Sequence, residues 1–130
     1  MDSIYLIGNG GHSKVVRDIL TSHGLLISGI YDDNSTHEDV LGGIDQISRE
    51  GKYICTIGDC KTQKNVVDKI TIPHEQYINA IHSTAWLSPF SQIDHGCMIC
   101  PFVCIQTDAK LGNHAIINTG AIVEWETSHI

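Results

Sequence analysis

The chain has 130 residues, 42% apolar and 18% charged, with a formal net charge of −7. That length suits one or two small domains. The acidic balance disfavours nucleic acid backbones and anionic membranes, so an anionic ligand would need local help from a helix N-terminus or a backbone nest.

The start "MDSIYLIGNGGH" has no basic n-region, and its apolar run is too short for a secretory signal. No stretch approaches the roughly 20 apolar residues of a membrane span. The cytoplasm is the expected compartment, with the five cysteines reduced there. Ile4–Ile7 reads as a strand, followed by a glycine loop and a helix from about Ser13. Strand, glycine loop and helix form the first unit of a Rossmann-like domain, with the loop aimed at a phosphate. Gly8, Gly10 and Gly11 permit tight turning and close backbone approach. The dinucleotide pattern fits only in part, because Ser13 stands where its third glycine belongs. A tight turn without a ligand would read the same way.

"LLISGIYDDN" is a second strand ending in Asp32 and Asp33. A carboxylate there can accept hydrogen bonds from a ribose or a base; a solvated pair of loop acids is the alternative. "VLGGIDQI" reads as a loop and a short helix, "YICTIGDC" as a third strand ending at Gly58 and Asp59, and "KTQKNVVDKI" as a helix. Three strands that end in glycine or acid favour a nucleotide-like ligand, because open α/β sheets bind ligands at those carboxyl ends. His12, inside the glycine loop, lies close to any such ligand or else bonds locally at the helix start.

From Ile81 the chain divides into sixes. The first positions are Ile81, Leu87, Ile93, Ile99, Ile105, Leu111, Ile117 and Val123, all aliphatic. The fifth positions, Ala85, Ser91, Cys97, Val103, Ala109, Ala115, Ala121 and Thr127, are all small or slender. Neither a helical nor an alternating period produces this. A six-residue period suits a parallel β-helix, in which each hexapeptide is one short strand plus a corner. The expected fold is therefore α/β plus β: a small Rossmann-like domain over residues 1–80, then a short left-handed parallel β-helix over residues 81–130. The aliphatic rule lapses at His129, and the expectation is a β-helix cut short, with a natural short solenoid as the alternative.

"CMIC" is a C-x-x-C with His95 and Cys104 nearby. Zinc is not expected, because Cys97 is an inward fifth position while Cys100 is a second position facing elsewhere. His95 and His114 fall at outward repeat positions and read as surface histidines.

A Rossmann-like half carrying "GNGGH", "DD" and "IGD", followed by hexapeptides, resembles the sugar acetyltransferases of the hexapeptide superfamily. These include UDP-4-amino-sugar N-acetyltransferases and sialic acid O-acetyltransferases of bacterial glycan pathways. The resemblance implies acetyl-CoA as co-substrate, no metal, a UDP-sugar or related acceptor, and a homotrimer with sites between neighbouring β-helices. It places Gly10, Gly11 and His12 on the diphosphate loop, Asp32 and Asp33 at the uridine, and Gly58 closing the site. Asn118 matches an asparagine beside the acceptor, and Glu126 matches an acid that orients a catalytic histidine. That histidine's own position is Trp125 here. Indole only donates a hydrogen bond and cannot take a proton near neutral pH. The family also uses later coils for coenzyme A. The chain is thus expected to be an impaired acetyltransferase. A non-catalytic nucleotide-sugar-binding or assembly module is the alternative, and a nicotinamide-dinucleotide enzyme is a third reading, opposed by Ser13.

Overall fold

The structure is a computed structural model that describes residues 3–34 and 37–129. Its first half is a four-stranded parallel sheet built from β1 (Ile4–Ile7), β2 (Gly29–Tyr31), β3 (Val40–Gly42) and β4 (Lys52–Cys55), in the order β3-β2-β1-β4. Helix α1 (Gly11–Thr21) joins β1 to β2, and α2 (Cys60–Ile70) follows β4. Side chains on β1 alternate between the two faces, as the strand period requires. Ile4 and Leu6 join the core that includes Val16, Ile19 and Leu20 of α1. Ile7 joins the opposite core with Tyr31, Tyr53, Cys55 and Ile70 of α2. The sheet is therefore covered on both faces, as a parallel sheet normally is.

The stretch expected as loop and short helix contains β3, followed by a 3-10 turn over Ile44–Gln46. Two adjacent glycines disfavour a strand intrinsically. β3 forms because it sits at the sheet edge, where Val40 and Gly42 pair with Ile30 and Tyr31 across a register shift. Helix α1 begins two residues earlier than expected, at Gly11.

The second half is a parallel β-helix. Its nine two-residue strands are β5 (Ala80–Ile81), β6 (Trp86–Leu87), β7 (Gln92–Ile93), β8 (Met98–Ile99), β9 (Cys104–Ile105), β10 (Lys110–Leu111), β11 (Ile116–Ile117), β12 (Ile122–Val123) and β13 (Ser128–His129). They form three sheets, β5-β8-β11, β6-β9-β12 and β7-β10-β13. Rungs stack every eighteen residues, as in Ile81, Ile99 and Ile117, so three hexapeptides close one coil. Ile99, Ile105, Leu111, Ile117 and Val123 are buried inside with Cys97, Val103 and Ala109. Ile81, Leu87 and Ile93, in the first coil, are half-buried and pack on the edge of the same core. That core also contains α1, so the first coil is closed by the helix. The Ser83 amide donates to the Ser22 hydroxyl at 3.2 Å, tying the end of α1 to the first corner.

The corners obey a third rule. Gly96, Phe102, Asp108, His114, Gly120 and Glu126, each a fourth position, all have φ between 57° and 79°. The left-handed conformation there turns the chain from one sheet to the next, and four of these six residues adopt it without being glycine. The ladder also continues past the lapse in the aliphatic rule. Ser128 and His129 pair with Lys110 and Leu111 in register. Backbone bonding needs no aliphatic side chain, so the break in the pattern at residue 129 is not a break in the fold. Ile130 lies outside the described residues.

Candidate functional site

The loop after β1 is held by main-chain geometry. Gly8 has φ 108°, and a Cβ on it would come within 3.1 Å of Thr56 and Ile57. Thr56 Oγ1 donates to Gly8 O at 2.7 Å, clamping the loop to the end of β4. Gly10 precedes the first turn of α1, and the Ser13 hydroxyl donates to Gly10 O at 2.6 Å. Gly11 is the first helical residue, and nothing lies within 4 Å of where its Cβ would be. Both glycines are exposed, so the N-terminal amides of α1 stand on an open surface at the carboxyl ends of the strands.

Both acids after β2 also hold the loops. Asp32 Oδ2 accepts from the Asn9 amide at 2.7 Å, and Oδ1 accepts from the Asn34 amide at 2.7 Å. Asp33 Oδ1 accepts from the Ile44 amide at 2.8 Å. A carboxylate has about four lone-pair sites, so each acid retains capacity for a further donor.

Gly58, past the end of β4, touches His12. A Cβ on Gly58 would lie 2.4 Å from His12 Cδ2 and 2.5 Å from Nε2. Asp59 caps α2, accepting from the Thr62 amide at 2.9 Å; these Thr62 bonds hold its carboxyl below the usual range. His12 and Gly58 open into a cleft of about 610 Å³ between α2 and the β-helix, whose walls include Gln63, His74, His114 and Asn118. The sequence-derived residues His12, Gly58 and Asn118 are thus brought together in one space. Gly10, Gly11, Asp32 and Asp33 lie outside that cleft, at the strand ends beside it.

His114 is not the surface histidine that its repeat position suggested. It is half-buried at the left-handed corner before β11. Its ring meets Tyr77 edge-on, centroids 4.6 Å apart, and faces His74 at 6.4 Å. Burial, then the neighbouring His74 and His95, push its pKa below the ordinary histidine value. Burial likewise pushes the Tyr77 phenol up to about 12. The period identified position 114 as outward, but outward from the coil here means toward α2, which only the tertiary packing reveals. His95 is exposed, as expected.

Trp125 and Glu126 lie elsewhere. Trp125 is 59% exposed. Glu126 sits at a left-handed corner and lines a second hollow with Phe90, Gln92, Asp108 and Lys110. Within one chain they do not meet the cleft at His114. Cys97 and Cys100 are both buried, Cys97 inside the coil with its thiol 3.2 Å from Gly112 O and its pKa raised to about 11 by burial. Among the described residues no group of histidine, cysteine, aspartate and glutamate is arranged to hold a metal ion. Among them, too, no helix is long and apolar enough to cross a membrane.

Residues 3–70 match the family model of the PglD N-terminal domain. A curated relative, the uncharacterised protein L142 of Acanthamoeba polyphaga mimivirus, is 34% identical over 121 residues, 88% of this chain. The chain spans only 24% of that relative's length. Among solved structures, a histidine-to-alanine variant of GDP-perosamine N-acetyltransferase from Caulobacter crescentus, in complex with CoA and GDP-perosamine, superposes with a TM-score of 0.84 at 28% identity. That match covers 98% of this chain and 65% of the other. The acetyltransferase domain of PglB from Neisseria gonorrhoeae, in complex with acetyl coenzyme A, shares the fold with a TM-score of 0.75 at 21% identity, over 98% of this chain and 65% of that one.

Proposed function

This chain belongs to the PglD N-terminal domain family, within the sugar acetyltransferases of the hexapeptide superfamily, and on that premise we propose that it binds a nucleotide-linked amino sugar as the acceptor for acetyl transfer. The carrying observation is that His12, Gly58 and Asn118, far apart in sequence, line one cleft between the Rossmann-like half and the β-helix. In this reading residues 1–80 hold the nucleotide and residues 81–130 hold the sugar. The diphosphate lies over Gly10, Gly11 and His12, where the amides and dipole of α1 supply the attraction that a chain of net charge −7 lacks globally. Asp32 and Asp33 meet the base or ribose with the lone pairs that Asn9, Asn34 and Ile44 leave unused.

The co-substrate is acetyl-CoA, and the products belong to cytoplasmic glycan biosynthesis. The sugar amine or hydroxyl attacks the thioester carbonyl, a carbon–nitrogen or carbon–oxygen bond forms, and the carbon–sulfur bond breaks. The attacking group's proton must go to a base. Trp125 cannot accept it, which makes this chain a poor catalyst by itself. The same tryptophan favours a second reading, a non-catalytic nucleotide-sugar binder that assembles as a trimer. Two measurements separate these possibilities. Calorimetry with UDP, GDP and their amino-sugar derivatives tests the cleft, and no binding at millimolar ligand in a folded sample would refute the ligand class. Turnover with acetyl-CoA then separates enzyme from binder.

A further inference from the structure

Helix α2 turns one stripe toward the cleft: Cys60, Gln63, Lys64, Val67 and Asp68, spaced three and four residues apart, all line it. Gln63 differs from its polar neighbours on that stripe. Cys60, Lys64 and Asp68 are exposed, whereas Gln63 is only 9% exposed. Its side-chain nitrogen donates to Ile57 O at 3.3 Å and to His114 O at 3.4 Å. Both amide protons are thus committed, and the carboxamide's orientation is fixed, because a carbonyl oxygen can only accept. Ile57 adjoins Gly58 in the loop after β4, and His114 is the corner before β11. One side chain therefore ties the Rossmann-like half to the β-helix along the wall of the cleft.

The tie leaves one atom over. Among the described residues nothing donates to Gln63 Oε1, yet that oxygen is not shut away from solvent as the ring nitrogens of His114 are. An open acceptor on a buried side chain in a cleft is met there by water or by a ligand. With both N–H groups engaged, Gln63 can accept and cannot donate. A hydroxyl or an amine satisfies it. A diphosphate or a carboxylate, ionised near pH 7, only accepts and does not. Because the side chain is already held, little rotamer freedom is lost when a ligand arrives.

We propose that Gln63 is a specificity residue whose Oε1 accepts a hydrogen bond from a hydroxyl or amine of the acceptor sugar. This rests on the reading of the cleft as a nucleotide-sugar site. Gln63 selects and orients the sugar; it takes no proton in the transfer step.

The experiment compares sugar nucleotides with bare nucleotides. The folded chain is titrated calorimetrically with GDP, UDP, GDP-perosamine and a UDP-linked amino sugar. At least one sugar nucleotide should bind more tightly than its own diphosphate. Gln63→Met, which keeps the length of the side chain but has no strong acceptor, should reduce that advantage about tenfold. If the tie between the two halves were all that Gln63 contributes, both affinities would fall together. A second readout needs no variant. The Gln63 carboxamide resonances of the unmodified chain should shift further with the sugar nucleotide than with its diphosphate. Equal loss of both affinities in Gln63→Met, no loss of either, sugar nucleotides that bind no better than their diphosphates, or equal resonance shifts would each overturn the role of Gln63. Binding of no nucleotide of either kind would instead overturn the reading of the cleft itself.

Discussion

His12 and Gly58 fit so closely that a methyl group on Gly58 would stand 2.4 Å from the imidazole Cδ2 of His12. The contact joins the loop after β1 to the loop after β4, and it sets where the His12 ring points into the cleft.

Gly58→Ala should therefore move His12 rather than unfold the chain. Gly58 is exposed and its φ is not in the left-handed region, so the backbone accepts alanine there. Affinity for a nucleoside diphosphate should fall about tenfold, the scale of one displaced hydrogen bond. The melting temperature should change little. Calorimetry alongside thermal unfolding checks both, and an unchanged affinity would remove His12 from the binding loop.

Stability should depend on pH through His114. Its folded pKa is lowered from 6.5 by burial and by His74 and His95. The unfolded chain then binds a proton that the folded chain does not, once pH drops below about 6.5. The neutral buried ring is fully tolerated above that value, and stability should decline as pH falls through the window beneath it. His114→Phe should flatten this part of the profile. Chemical denaturation between pH 5 and 8, in the range where histidine titrates, measures the slope; an identical slope in the variant would assign it to another group.

Ile105→Asp should destabilise the β-helix severely, by about 4 kcal/mol or more, because an unpaired carboxylate would occupy the coil interior. Ile105 is fully buried and lies in register between Leu87 and Val123. Ile105→Val should cost only about 1 kcal/mol. Denaturant titrations of the two variants test whether this first position lies inside, as the period demands.

How far the sequence discloses the molecule depends on which rule each residue obeys. The aliphatic first positions repeat without exception from Ile81 to Val123, so the coil interior is legible by counting, and Ile99, Ile105 and Leu111 are buried where the count puts them. The corner rule is harder to see, since Phe102, Asp108, His114 and Glu126 share a conformation and no chemistry. β3 is hidden because edge pairing with β2, not propensity, makes it a strand. Gly58 and Asp32 are legible as strand-end residues, but their partners are not: Gly58 meets His12 from a loop far along the chain. His114 is missed for a similar reason. Its period marks it as outward, and α2 then covers it.

Assembly should use the face around β6, β9 and β12. Trp86 and Ile122 are 55% and 63% exposed, and they occupy equivalent rungs on either side of Cys104. Phe102 and Trp125, at the adjoining corners, are 69% and 59% exposed. Together they make an apolar face of the kind that marks interaction sites. The chain should sediment as a trimer at micromolar concentration, and Trp86→Lys with Ile122→Lys should shift it toward monomer. A trimer that survives both substitutions would place the interface on another face.

The last expectation concerns Trp125. As given, the chain should transfer acetyl groups poorly, since loss of a general base typically costs about 10²–10⁴-fold in rate. Trp125 is exposed, so replacing it should not disturb the coil interior. Trp125→His, which places an imidazole where the resemblance puts the general base, should raise the rate measured with acetyl-CoA and an amino-sugar nucleotide. Glu126, next in the chain, would then orient the new imidazole, and Glu126→Gln in that background should lower the restored rate. If the unmodified chain already acetylates such a sugar at an enzyme-like rate, the proton goes to some other group. His114, which lines the cleft with Asn118, would then be the first substitution to make.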